Sequence, residues 1–329
     1  MNRKLAILSA AVAIALLPFA ASGMTVALHG ETLVVGDSLD GGHAIRYEFR
    51  RCMANHLYTF SKVEFDGCVV NEATSDNIGP FLIRGKGWTG GNHLAADGKT
   101  PSARTESVEI RGDGQVLARD TVVRVSRVDI AVKNKLFDPK CVDSLFCEEN
   151  VHYVVCRNSI QVEVHLRFAN DEPMFVERYY GMQSMTVGET EILTPNGAYG
   201  EWTPVGAVDR FTRQSAPKFR QFVERTPVCY AALCLCSDGL GDRRCVDGDD
   251  VVFIGNSWSK SYHKLIGNRI VEKGETARWK GIYTWFASPV ADSHGKFEYK
   301  GCFDGREAVF CSESGSDYVV FSDGKKILL

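Results

Sequence analysis

The sequence predicts an all-β protein, an antiparallel β-sandwich or jelly roll with long loops and disulfides. Three observations carry this expectation. Apolar and polar residues alternate in short runs bounded by Gly or Asp turns. No long segment repeats apolar residues at helical spacing between capping residues. The 11 cysteines suit a stapled fold in an oxidising compartment.

Taken in order, the chain begins with a segment that reads as a secretory signal peptide over residues 1–23. Asn2-Arg3-Lys4 is a basic start, Leu5 to Leu17 is an apolar run, and Pro18 precedes the small residues Ala20 to Gly23. That run is too short to span a bilayer, and no second one of spanning length follows. The expectation is a secreted or periplasmic chain of residues 24–329 with no membrane insertion after cleavage, folded as one large domain.

Strand patterns fill that domain. Glu31 to Val35 and Ala44 to Arg50 come first. Glu106 to Arg111 alternates, Gly112-Asp113-Gly114 turns it, and Gln115 to Arg119 returns as the hairpin partner. Thr121 to Val132 alternates again. Ser159 to Phe168 puts Ile160, Val162, Val164, Leu166 and Phe168 on a core face and Gln161, Glu163, His165 and Arg167 on a wet one. Phe175 to Gly181, Val251 to Ile254, Gly281 to Ala287, Phe297 to Val309 and Tyr318 to Leu328 complete the series. Ala216 to Glu224 is the one segment suited to a short helix, and residues 190–250, rich in turns and cysteines, read as an insertion or a seam.

Charge limits the partners. With 38 basic and 41 acidic residues the net charge is −3, and losing Arg3 and Lys4 makes it more acidic. A nucleic-acid binder needs a basic face that this composition does not supply. Arg111-Gly112-Asp113 reads as turn chemistry rather than an integrin motif. Among the cysteines, 52 with 68, 141 with 147, 236 with 245 and 302 with 311 are near enough in sequence to close loops, and an odd count leaves one over. Cys229, Cys234, Cys236 and Cys245 do not make a metal site, since Cys-x-Cys on a strand merely puts both sulfurs on one face. No cofactor is expected; Asp247 to Asp250 lacks the spacing of a calcium loop.

Three segments carry chemistry. The loop Arg84-Gly-Lys-Gly-Trp88-Thr-Gly-Gly-Asn92-His93 has too much glycine for a regular element and presents Trp88, Asn92 and His93 on a shaped turn. Glu177 to Gln183 follows an alternating strand; alternation sends Arg178 and Tyr180 to one face and Glu177 and Tyr179 to the other. Asn256 to Lys264 places Lys260, Tyr262 and Lys264 on one side, a face suited to an anionic substrate. The aromatics of Trp279 to Phe286 are mostly core.

This inventory lacks the paired carboxylates of most glycoside hydrolases and the Gly-x-Ser-x-Gly elbow of esterases. It suits elimination at a uronic acid, which needs a neutralised carboxylate, a base for the C5 proton and an acid for the C4 oxygen. The three segments resemble those of secreted β-sandwich and jelly-roll polysaccharide lyases, without the Gln-Ile-His triplet or Tyr-Phe-Lys-Ala-Gly segment of the alginate-lyase type. The resemblance implies β-elimination on an acidic polysaccharide. His93 and Tyr262, or Tyr180, would transfer protons, Arg84 and Asn92 would neutralise the carboxylate, and Trp88, Arg178, Gln183, Lys260 and Lys264 would bind. The rival reading is a secreted carbohydrate-binding or adhesin-like sandwich that uses the same surface without turnover.

Overall fold

The computed structural model describes residues 23–72, 77–185, 189–197, 199–237, 245–256, 260–293, 295–313 and 315–329. The expected signal peptide lies outside the described residues except for Gly23. Among the described residues the chain is all β: antiparallel strands, two short 3-10 turns at Asp40–Gly42 and Val205–Ala207, and no α-helix.

The backbone of the molecule is a ten-stranded sheet. From one edge it runs Thr203–Pro204, Glu191–Leu193, Gln221–Arg225, Tyr230–Ser237, Thr276–Phe286, Ser159–Phe168, Cys141–Cys156, Val128–Asp138, Ala103–Gly112 and Gln115–Val116. Two six-stranded sheets pack on one of its faces. One is built from residues 24–72 with Thr121–Val125. The other, which carries the candidate site, comprises β1 (Phe81–Ile83), β2 (Gly87–Thr89), β3 (Met174–Met185), β4 (Arg210–Thr212), β5 (Val251–Asn256) and β6 (Lys260–Val271), in the order β4-β5-β6-β3-β1-β2. A five-stranded sheet of residues 291–328 covers part of the opposite face.

The strand Thr276–Phe286 shows why both faces can be buried. Its residues Trp279, Tyr283 and Trp285 join the core shared with the six-stranded sheets, while Ile282 and Phe286 alternate into the core beneath the C-terminal sheet. Aromatic pairs bind the layers: Phe49 meets Tyr153 edge-on at 5.4 Å, Phe60 meets Tyr283 at 5.1 Å, and Phe286 stacks on Tyr299 at 4.9 Å. Each such pair adds about 0.5–1.5 kcal/mol beyond its buried area.

Several sequence expectations are revised here. Thr121 to Val132 is not one strand. Thr121–Val125 pairs with Met24–His29 in a six-stranded sheet, and Val128–Asp138 belongs to the ten-stranded one. Asp113 fixes the break by accepting the Ser126 and Arg127 amides, at 3.1 and 3.0 Å. Ala216 to Glu224 forms no helix: Gln221–Arg225 is a strand paired with Tyr230–Ser237, which buries Phe222 and Val223 completely. Residues 190–250 supply strands to both the ten-stranded sheet and the site sheet.

Cysteine pairing by nearness in sequence is geometrically excluded for 52 with 68 and for 302 with 311, because a disulfide needs Cα atoms within about 7 Å. Cys52 and Cys68 face opposite ends of the strand Leu57–Phe65, about 26 Å apart at strand rise. Cys141 and Cys147 lie on one strand whose register against Val128–Asp138 shifts twice between them. Cys302 opposes Glu307, whereas Cys311 opposes Glu298, so that pair is several residues out of register. The pair 236 with 245 brackets residues 238–244, outside the described ones.

Candidate functional site

The loop of residues 84–93 is more regular than its glycines suggest, with Gly87–Thr89 forming a strand, and it is fastened from below. β1 and β2 make a hairpin in which Trp88 opposes Leu82. After it, Gly90 bridges to His93 in a tight turn at φ 82°, a value that favours glycine; a Cβ there would also meet the Leu136 side chain at 2.9 Å. Buried Asn55 donates to the carbonyls of Gly91 and His93 at 2.9 and 2.8 Å and accepts the Ser102 amide at 2.8 Å. Thr89 donates its hydroxyl to the Phe137 carbonyl at 2.7 Å. The loop is thus a rigid platform.

On that platform the His93 ring stacks on Trp88, centroids 4.9 Å apart and 15° from parallel. Trp88 in turn stacks on Tyr180 at 5.9 Å, and Tyr180 packs against Tyr262 at 4.5 Å. Residues from β2, its following turn, β3 and β6 therefore meet in one continuous row of rings on the outer face of the site sheet. The groups separated by about 90 and 170 residues in sequence have converged.

Cations border the row. Arg178 donates to the Tyr180 hydroxyl at 3.4 Å, and this bond holds the guanidinium above its ordinary value. Burial, and then the charge of Lys260, push the His93 imidazole below its usual 6.5. Neutral imidazole is the form that can accept a proton. Gln183 lies opposite Tyr262 in register, so the two share a face; it is buried, and its side-chain nitrogen has no partner among the described residues.

Three expected residues play other parts. Lys264 folds onto Asp250, Nζ to Oδ1 at 3.1 Å, with both side chains under 10 % exposed; Asn268 donates to the same oxygen at 2.8 Å. Arg84 lies over the Phe175 ring at 3.6 Å and pairs with Glu177 at 3.0 Å. The side-chain oxygen of Asn92 accepts the Ala54 amide at 2.9 Å, tying the loop to the neighbouring turn. A bulge between Val176 and Arg178 explains Glu177: strict alternation assigned it to Tyr179's face, but the register shift lets it reach Arg84 while Tyr179 enters the core.

Asp250 and Asn268 were missed by sequence reasoning. The only signal for Asp250 was an acidic turn, and nothing local reveals a lysine fourteen positions on as its partner. Gly267 makes that arrangement fit, because a Cβ there would sit 2.6 Å from Lys264 Nζ.

No protein-family model and no curated protein matches this chain. Solved structures are similar to it at low scores. The galactosidase domain of the alpha-galactosidase-sucrose kinase AgaSK matches with TM-score 0.46 and 9% identity, over 80% of this chain and 42% of that one. The GH36 alpha-galactosidase AgaB from Geobacillus stearothermophilus matches with TM-score 0.44 and 10% identity, over 80% and 41%. The alpha-galactosidase from Lactobacillus brevis matches with TM-score 0.44 and 10% identity, over 79% and 40%. The chain spans about two fifths of the length of these proteins.

Proposed function

We propose that the outer face of the site sheet engages an acidic, uronate-containing polysaccharide and cleaves it by β-elimination. The observation that supports this reading is the row His93, Trp88, Tyr180 and Tyr262, bordered by Arg178 and Lys260. Arg178 would hold the substrate carboxylate, which acidifies the C5 proton by drawing charge from the developing carbanion. His93, kept neutral, takes the C5 proton. Tyr262, with Tyr180 as the alternative phenol, protonates the C4 oxygen as the C4–O bond breaks and the C4–C5 double bond forms. Lys260 and Trp88 bind neighbouring sugars.

Binding without turnover is the second reading. It draws on the burial of Tyr180, which limits the reach of that phenol to a substrate.

Ultraviolet absorbance of the unsaturated product, followed over a panel of uronate-containing polysaccharides, separates the two. The expected result is product formation that falls at least about 100-fold in His93→Ala and in Tyr262→Phe, the scale of a lost general acid or base. Its acid limb should lie below pH 6.5 and move to higher pH in Lys260→Ala, because removing a like charge eases protonation of His93. Glycan binding with no product from any polymer would leave only the second reading.

A further inference from the structure

One sulfur pair stands apart from all those that sequence spacing suggested. Cys156 ends the strand Cys141–Cys156 of the ten-stranded sheet, and Cys302 lies in the strand Lys296–Phe303 of the C-terminal sheet. Their sulfurs are 2.6 Å apart, and both residues are buried.

The backbone around them is positioned by bonds that do not involve sulfur. Ser159 accepts the Cys302 amide at 2.9 Å, Asn158 donates to the carbonyls of Trp285 and Lys300 at 2.9 and 3.0 Å, and Gln161 accepts the Asp304 amide at 3.0 Å. Hydrogen bonds between the two sheets therefore hold their register without any contribution from sulfur. Arg157 follows Cys156 directly and pairs with Asp40 and Glu307, placing a cation beside the thiols. The Cys302 S–H donates to the Cys156 sulfur, which lowers the Cys156 thiol and raises that of Cys302. A cleft of about 450 Å³ between the sheets is lined by Cys302, Arg157, Lys300, Glu307 and Phe321. It opens onto Cys302 of the pair.

We infer that Cys156 and Cys302 form a disulfide that clamps the C-terminal sheet onto the ten-stranded sheet. The oxidant is a low-molecular-weight disulfide, R–S–S–R. The Cys156 thiolate attacks one of its sulfurs; the R–S bond partner leaves as a thiolate and takes up a proton. Cys302 loses its proton to solvent and attacks the Cys156 sulfur of the mixed disulfide, expelling the second R–S⁻, which is protonated in turn. Two protein thiols are oxidised and one small disulfide is reduced to two thiols. The crosslink closes a loop of 146 positions, long enough to restrict the unfolded chain strongly. This inference is independent of the glycan reading.

Peptide mapping of the folded, full chain after incubation with oxidised glutathione tests it. Digestion after basic residues and after glutamate, without reduction, should join peptides 150–157 and 301–306, each of which holds a single cysteine. The linked pair should be two hydrogens lighter than the sum of its parts and should separate on reduction. The thermal midpoint should rise on oxidation in the wild type and not in Cys302→Ala. If that variant fails to fold, the wild-type map still decides. Peptides 150–157 and 301–306 recovered unlinked from oxidised, folded protein, or 301–306 joined to the peptide holding Cys311, would overturn the assignment.

Discussion

Two lysines on one face of β6 have opposite fates. Lys260 remains partly exposed, close enough to His93 to depress its basicity, while Lys264, two alternations along, is buried against Asp250. Taking both charges out of water is costly, and the pair recovers this only while both members are present and hydrogen-bonded. Removing one partner strands the other. Lys264→Ala should therefore destabilise the protein by about 3–5 kcal/mol, whereas Lys260→Ala should stay within about 0.5 kcal/mol, as surface substitutions do. Urea denaturation of the two variants measures both; equal losses would show that the Lys264–Asp250 bond is as dispensable as an exposed one.

At the scale of elements, the site depends on how closely the segment before β1 approaches β3. A Cβ placed on Gly79 would lie 1.4 Å from the Tyr180 carbonyl oxygen, a backbone atom that can yield only if the strand moves. Gly79→Ala should push β3 outward at Tyr180, separate Tyr180 from Trp88 and Tyr262, and cost at least about 2 kcal/mol as an overpacked core position does. Trp88 fluorescence and glycan binding should change together; a variant with unaltered emission and affinity would mean that the row does not need this contact. Much of the row was legible beforehand. The glycine-rich loop announced Trp88 and His93, and alternation put Tyr180 with Arg178 and Tyr262 with Lys260. What was not legible came from irregularity and distance. The bulge at Glu177 breaks the period on which the strand reading relied, and the Lys264–Asp250 pair crosses from a strand to a loop. Fold class was readable because period-2 patterning survives in strands such as Ala44–Cys52, Val128–Asp138 and Ser316–Phe321, but the division of Thr121 to Val132 between two sheets depends on Asp113, whose turn glycines gave no hint of that second role.

At the scale of the whole molecule, two carboxyls are sealed between layers where no cation among the described residues meets them. Glu149 accepts from Asn134 at 2.9 Å beside a void of about 10 Å³, at the lower limit for one water. Glu224, on the ten-stranded sheet, accepts from Ser184 of β3 at 2.6 Å. Burial raises each from 4.5 to about 7. Between pH 4.5 and 7 the folded protein thus keeps protons that the unfolded chain has released, so stability falls as pH rises through that window and levels off above it. A displacement of this size corresponds to about 3 kcal/mol for each group. Glu149→Gln and Glu224→Gln keep an amide oxygen to accept the same bonds yet cannot ionise. Each should be more stable relative to the wild type at pH 8 than at pH 5, by up to about 3 kcal/mol, in denaturation midpoints read at the two pH values. An unchanged difference would mean that the carboxyls are ionised in the folded state throughout, with water or a rearranged donor reaching them between the sheets.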